Sequence, residues 1–539
     1  MSIVRHRAVS ILFLMIAGIL LFGLSLEKQN AGAATKENKL ILSARSRVET
    51  SEDSGKFKVV GSRLEWNASE TAVIICDMWD RHWCKGATLR VAELAPYMNE
   101  VVCRARDKGV LIIHAPSGTI DHYKDHPARG WARNAPKATN LPNSISGWCP
   151  WIDEEEKKTG YPIDHSDGGC DCEPMCEQGS PWRKQNDTIQ IHNEDAISDS
   201  GVEIWNLLEK RGIRNVILMG VHTNMCVLGR PFGLRNMARF GKNVVLMRDL
   251  TDTMYNSKAR PFVSHFTGTD LVIEHIEKFV CPTVTSTAIT GTKQFRFKDD
   301  RRRPRVVFIS AESEYGAAES LPEFAHELQM KYGLSCEIIQ GGTDGSTNER
   351  DYIAGMEELM SADLVVLFVR RRAFPAHQMK YFNDYLDRGK PLAALRTSSH
   401  AFDTRGKHPQ GHIEWRKFDP EVLGGNYNGH YGSGPECTVA AAQGAERNPI
   451  LDGVQVPFMS ISSLYKASPL TKSTRMLLIG TIPGQEPEPV AWTNLYGNSR
   501  VFYTSLGRLD DFENPQFRRL LINAVFWAME KPVPTKNGN

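Results

Sequence analysis

At 539 residues the chain is longer than one hydrophobic core organises, so two domains are expected. Apolar residues make up 41% and charged residues 24%, an ordinary globular balance. With 65 Lys and Arg against 63 Asp and Glu, the charge gives no reason to expect nucleic acid or an anionic surface as a partner.

The N-terminus reads as a targeting segment. Arg5, His6 and Arg7 precede an apolar run over residues 8–26, a polar stretch over 27–30, and Ala31-Gly32-Ala33, a small-x-small site. That order predicts a secretory signal over residues 1–33 and an exported protein, periplasmic or secreted. The run is long enough that an uncleaved membrane anchor is the alternative, the one route to membrane attachment.

Strand-like runs follow at 71–76 (TAVIIC), 109–114 (GVLIIH), 188–191 (TIQI), 215–220 (NVILMG) and 243–247 (NVVLM). Helical stretches at 92–108, 200–211 and 226–240 separate them. Short apolar strands spaced by helices predict a parallel sheet covered on both faces. A charged stretch, RFKDDRRRPR at 296–305, reads as a solvated linker, placed at 291–303. The pattern then restarts: strands at 305–310, 335–340, 363–369, 391–395, 476–480 and 500–504, with helices at 320–332 and 514–530. The expected fold class is α/β, two three-layer α/β/α sandwiches with mainly parallel sheets, over residues 34–290 and 304–532. Residues 533–539 form a tail.

Open parallel sheets bind ligands at the carboxyl ends of their strands. Asp77 directly follows TAVIIC, and Cys226 lies six residues beyond Gly220. A thiol at a helix N-terminus is drawn toward thiolate, and a neighbouring carboxylate can take its proton. The segment GVHTNMCVLGRPFGLRNMARFGKNVVLMRDLT resembles the nucleophile region of the isochorismatase-like cysteine hydrolases, and VIICDMWD resembles their first strand. The resemblance covers roughly residues 60–285. It implies Cys226 as nucleophile and Asp77 as base, with an oxyanion hole at a cis peptide expected at Val221–His222. It also implies a Lys at the end of the third strand, and here the sequence departs: His192 stands at that place. His192 is therefore the expected substitute, able to donate a hydrogen bond to Asp77 or to substrate. The implied activity is hydrolysis of a small C–N bonded substrate, an amide, imide or carbamoyl compound, by an exported cysteine hydrolase. The competing expectation is a binding protein with a degenerate catalytic centre.

Nine of the eleven cysteines precede residue 282. Cys170, Cys172 and Cys176 cluster in a long insertion. With His165 or Cys149 they could hold zinc, but the spacing fits zinc ribbons poorly, and export favours disulfides. Asp121, His122, Asp125 and His126 resemble a metal cluster but read better as a loop after the second strand. No cofactor and no catalytic metal are expected.

Residues 304–532 resemble ThuA-like domains, of the trehalose-utilisation type. The resemblance rests on FDPEVLGGNYNGHYG, AERNPILDGV, SLYKASPL and the segment from PVAWTNLYG to LLINAVFW. It implies a glutamine-amidotransferase-like fold and a possible glycan partner. Strand-end polar residues here include Glu312, Glu314, His400, His412 and His430, and Trp415 could stack on a sugar. No Cys or Ser flanked by glycines marks a nucleophile elbow, so amidotransferase chemistry is not implied. Homo-oligomerisation is compatible with the sequence.

Overall fold

The structure, a computed structural model, describes residues 38–342, 350–432 and 434–535. The expected signal, residues 1–33, and the end of the tail lie outside the described residues. Among the described residues no helix is long and apolar enough to cross a membrane.

The first domain is built on eight strands: β1 (Lys39–Glu49), β2 (Phe57–Asn67), β3 (Thr71–Cys76), β4 (Leu111–Ala115), β5 (Ala196–Ile197), β6 (Asn215–Val221), β7 (Asn243–Asp252) and β8 (Thr283–Val284). Their order is β2-β1-β8-β7-β6-β3-β4-β5. From β8 to β5 every pairing is parallel, and β1 runs antiparallel to β8. All six residues of β3 are buried. Ala72, Ile74 and Cys76 face one core with Ile113, Leu218 and Phe232, while Val73 and Ile75 face another with Met98, Val101 and Ile217. That period of two, with both faces apolar, makes β3 the middle of three layers. Helix α1 (Lys85–Asp107) covers one face, and α2 (Gly201–Lys210) and α3 (Leu234–Arg239) cover the other. Helix α4 (His265–Phe279) spans from the core toward β8.

The chain leaves β3 in one direction, to β4 and β5, and returns on its other side as β6, β7 and β8. This reversal opens a crevice at the carboxyl ends of β3 and β6. Register pairs Cys76 with Gly220 there. Gly220 adopts φ 122, and a Cβ on it would lie 2.1 Å from the Cys76 carbonyl oxygen, so only glycine lets the two strand ends close up.

Three sequence expectations change. Residues 188–191 form no strand: the Asn186 side chain accepts from the Thr188 N–H, and the Ile189 N–H returns to the Asn186 carbonyl, which turns the chain. The third parallel strand is β5, paired with Ile113 and His114. The helix expected over 226–240 is interrupted by Pro231, which has no N–H to donate, and resumes as α3 after Gly233. The stretch expected as a solvated linker is packed: Phe295 and Phe297 enter the first domain's core, and Arg303 pairs with Asp270 and Asp300.

The second domain carries β9 (Arg305–Ala311), β10 (Ser335–Gln340), β11 (Leu364–Val369), β12 (Phe374–Pro375), β13 (Leu392–Leu395), β14 (His412–Ile413), β15 (Cys437–Ala441), β16 (Phe458–Ser460), β17 (Arg475–Thr481), β18 (Glu488–Tyr496) and β19 (Ser499–Thr504). The main sheet runs β10-β9-β11-β13-β19-β18-β17-β15-β16, and β12 pairs with β14 apart from it. The first five strands are parallel and the last four antiparallel. Helices α5 (Ala317–Tyr332) and α7 (Pro515–Ala528) cover one face, and α6 (Ala376–Asp387) the other. Both halves are thus α/β sandwiches with large, mainly parallel sheets.

Strands β1 and β2, which no sequence pattern singled out, tie the halves together. Val59 of β2 is buried in the second domain's core beside Val306 and Phe308. Arg45 of β1 pairs with Glu277 and Glu337, and Arg248 of β7 with Glu337 and Glu358. Arg305 adds pairs to the same two second-domain carboxylates.

Candidate active site

Asp77 leaves β3 with φ 50, a left-handed conformation uncommon for a residue with a side chain. The turn aims its fully buried carboxylate across the strand ends. Oδ1 accepts from the Ser117 backbone N–H at 2.8 Å. Oδ2 accepts from Arg230 Nε, and Arg230 Nη2 is also 3.1 Å away. The Cys226 thiol faces the same carboxylate. Burial pushes the Asp77 carboxyl above the usual range, against the pull of Arg230, the thiol and Ser117. Burial and the Asp77 charge raise the Cys226 thiol far above an ordinary cysteine, with Arg230 opposing. The Cys226 thiol thus sits beside a carboxylate and a guanidinium already in place.

The turn that carries Cys226 starts where β6 ends. The Val221–His222 peptide is cis. Thr223–Val227 forms one turn of π-helix, and the His222 carbonyl accepts from the Met225 and Val227 N–H groups. Thr223 Oγ1 lies 2.7 Å from Thr251 Oγ1 and donates to the Asp252 carbonyl, while Asn224 bonds both main-chain groups of Met254. These bonds fix the turn to β7 and the loop after it. The His222 ring is buried, with Nε2 unpartnered and the His82 ring 4.8 Å away, and burial holds it neutral. Cys226 and Arg230 keep partial exposure.

The Arg230 N–H bonds the Cys226 carbonyl, one turn on, which sets the guanidinium on the thiol's side of the turn. Sequence reasoning missed this residue because it sought the cation at the third strand. The i, i+4 spacing from Cys226 was the available signal. His192 is not brought to the site. It precedes β5, its side chain is exposed, and its N–H donates to Asp195. Asp195 is itself held by His114 and Arg106. The loop faces α1 and β4 instead of the crevice because Arg106, near the end of α1, fastens it there.

The second-domain candidates separate into two groups. His400 is buried, stacks on Tyr427 at 4.5 Å, and lies 6.2 Å from Tyr465; His430 approaches Tyr465 from 6.3 Å. Burial and the nearby Arg371, Arg370 and Arg396 push His400 down to about 2. Glu312, at the end of β9, accepts from the N–H groups of Glu314, Tyr315 and Ala317. His412 and Trp415 lie elsewhere: His412 bonds the Ala373 carbonyl, and Trp415 packs on Phe418 and donates to Glu421.

The expected disulfides are absent: all eleven cysteines are free. Cys84 Sγ lies 3.2 Å from Cys170 Sγ and 3.8 Å from Cys172 Sγ, well beyond the 2.05 Å or so of a sulfur–sulfur bond. His165 bonds Asn224, and Cys149 approaches the Trp151 carbonyl, so neither joins these sulfurs. His126 caps the helix Pro127–Arg133, accepting from Ala128.

No curated protein matches the chain. Similar solved structures include a ThuA-like protein from Parabacteroides merdae ATCC 43184, 15% identical, with 43% of this chain and 92% of that one covered and a TM-score of 0.34. A cysteine hydrolase from Pseudomonas syringae pv. phaseolicola 1448A is 17% identical, covering 42% and 93%, with a TM-score of 0.27. An isochorismatase family protein from Desulfovibrio vulgaris subsp. vulgaris str. Hildenborough is 15% identical, covering 41% and 97%, with a TM-score of 0.23. The family model that matches this chain is ThuA, described as trehalose utilisation, and it spans residues 305–528, the second of the two α/β domains.

Proposed function

We propose that the chain is a cysteine hydrolase acting on a small amide, imide or carbamoyl compound. The observation that carries the reading is the Asp77 carboxylate, which meets the Ser117 N–H, the Arg230 guanidinium and the Cys226 thiol at one strand-end crevice. As substrate enters, Asp77 takes the thiol proton and sulfur attacks the carbonyl carbon. The N–H groups of the turn from His222 to Cys226 hold the negative oxygen. Asp77 then returns the proton to the departing nitrogen, which leaves as amine or ammonia. Water, deprotonated by Asp77, cleaves the thioester and frees the acid, and Asp77 returns that proton to the departing Cys226 sulfur. Arg230 keeps Asp77 ionised and in line between these steps. Neither metal nor cofactor enters the scheme. A panel of amides, imides and carbamoyl compounds tests it: turnover by the intact chain that Cys226→Ala lowers roughly 10⁴-fold or more is the expected result. No turnover on the panel, or turnover unchanged in Cys226→Ala, removes the reading.

A second reading, a binding protein with carbohydrate taken by the ThuA-like half, is favoured by the aromatic wall of His400, Tyr427 and Tyr465 beside the strand ends of that domain. Saturable sugar binding without turnover, lost in Tyr427→Ala, would select it. Either reading includes export, on the order of charge and hydropathy in residues 5–33. Cell fractionation with N-terminal sequencing tests that part.

A further inference from the structure

The insertion that follows β4 returns three cysteines to the start of α1. Cys84 is the N-cap of that helix, and its sulfur accepts from the Ala87 N–H at 3.5 Å. The Gly86 N–H donates to Cys172 Sγ at 3.2 Å. Cys176 packs against the same cluster. The sulfurs of Cys84, Cys170 and Cys172 all lie within 4.8 Å of one another.

We propose that Cys84, Cys170, Cys172 and Cys176 form a closed structural zinc site. A tetrahedral zinc with bonds of about 2.3 Å sets its sulfurs about 3.8 Å apart, close to the 3.2 and 3.8 Å from Cys84 to Cys170 and Cys172 and far from a disulfide; Cys176, packed against these three, would close in as the fourth ligand. The N–H groups turned on sulfur are what a buried thiolate needs, since they stabilise its charge without competing for the metal. Asp171, between two of the ligands, keeps Oδ1 3.7 Å from Cys84 Sγ while its carboxylate pairs with Arg90, and Arg90 also pairs with Asp252. The fit at the helix start is close, for a Cβ on Gly86 would stand 2.7 Å from Asp171 Oδ1. Four thiolates fill a tetrahedron, so the site holds structure and leaves no position for substrate or water. Its consequence for the first domain is mechanical. Met225 and Met254 pack on the sulfur cluster, and Met225 immediately precedes Cys226, so the nucleophile turn rests on it.

The test uses the full chain, produced with zinc in the medium and purified without chelator. Elemental analysis is expected to find about one zinc per chain, released on titration with a mercurial that captures the thiols. Cys172→Ser should lose the zinc. Cys103→Ser, whose thiol faces Arg106 and stands outside the cluster, should keep it. Should Cys172→Ser fail to fold, mercurial release from the unsubstituted chain decides alone. A chain without zinc, an intact mass short of two hydrogens with a Cys84–Cys170 disulfide peptide, or zinc that survives Cys172→Ser would overturn the proposal.

Discussion

Arg230 Nε lies 3.1 Å from Asp77 Oδ2, and the guanidinium is the cation that accompanies the buried carboxylate at this strand-end crevice. An arginine stays charged at every working pH and holds its partner by a planar fork. Arg230→Gln should therefore lower kcat/KM by about 10²-fold or more, with Arg230→Lys falling in between. Steady-state kinetics on any substrate found by the panel checks this, and equal rates in all three proteins would refute the role.

The pH dependence follows from the same pair. In the proposed mechanism Asp77 acts as base only when ionised, and burial places its carboxyl above the ordinary range. The rate should rise with pH through a limb that sits higher than a free aspartate's, and Arg230→Gln should move that limb higher still, because the opposing cation is gone. A kcat/KM profile whose acid limb is the same in both proteins would count against it.

Cys226 offers a sharper contrast. After burial, the charge of Asp77 is the largest influence raising its thiol, and Arg230 opposes it. Asp77→Asn should thus speed alkylation of Cys226 by iodoacetamide near neutral pH, roughly tenfold for each unit by which the thiol falls, while turnover disappears. Mass spectrometry of the labelled peptide against time reads the first effect. Alkylation slowed or unchanged would mean that Asp77 does not hold the thiol's proton.

His192→Ala is expected to leave kcat/KM within twofold, as for an exposed residue outside the site. Asp195→Ala, by contrast, strips partners from buried His114 and from Arg106, and should cost about 1–3 kcal/mol in denaturant unfolding. Although burial works to raise it, His114 and Arg106 hold the Asp195 carboxyl down at about 2. Its folded value is below its unfolded one, so its contribution is full above about 4 and fades as pH falls toward 2. The stability gap between the two proteins should narrow over that window, and a gap constant with pH would contradict the pairing.

Arg248 pairs with Glu337 and Glu358 between the two halves. Arg248→Met leaves buried carboxylates short of a partner and should destabilise the chain by about 3–5 kcal/mol. Calorimetry reads it as a lower transition temperature, and an unchanged transition would show that the cluster does not hold the halves together.

The sequence by itself determined the two sheets and two of the residues at their edge. A strand buried on both faces must be a nearly continuous apolar run, so 71–76 could be read to the residue, and β6, β9 and β11 to within one. Asp77 and Cys226 were legible because each lies just past such a run. Only the tertiary structure decided what surrounds them. Arg230 follows Cys226 by four residues, but that spacing acquires meaning only when a turn puts both on one side. Cys84 meets Cys170 across 86 positions, and no local period encodes such a meeting. Residues 188–191 had the composition of a strand, yet Asn186 offered the backbone a turn instead. Short-range patterns fix which residues are buried, whereas the partners of a buried charge or thiol are chosen by chain segments that folding alone brings together.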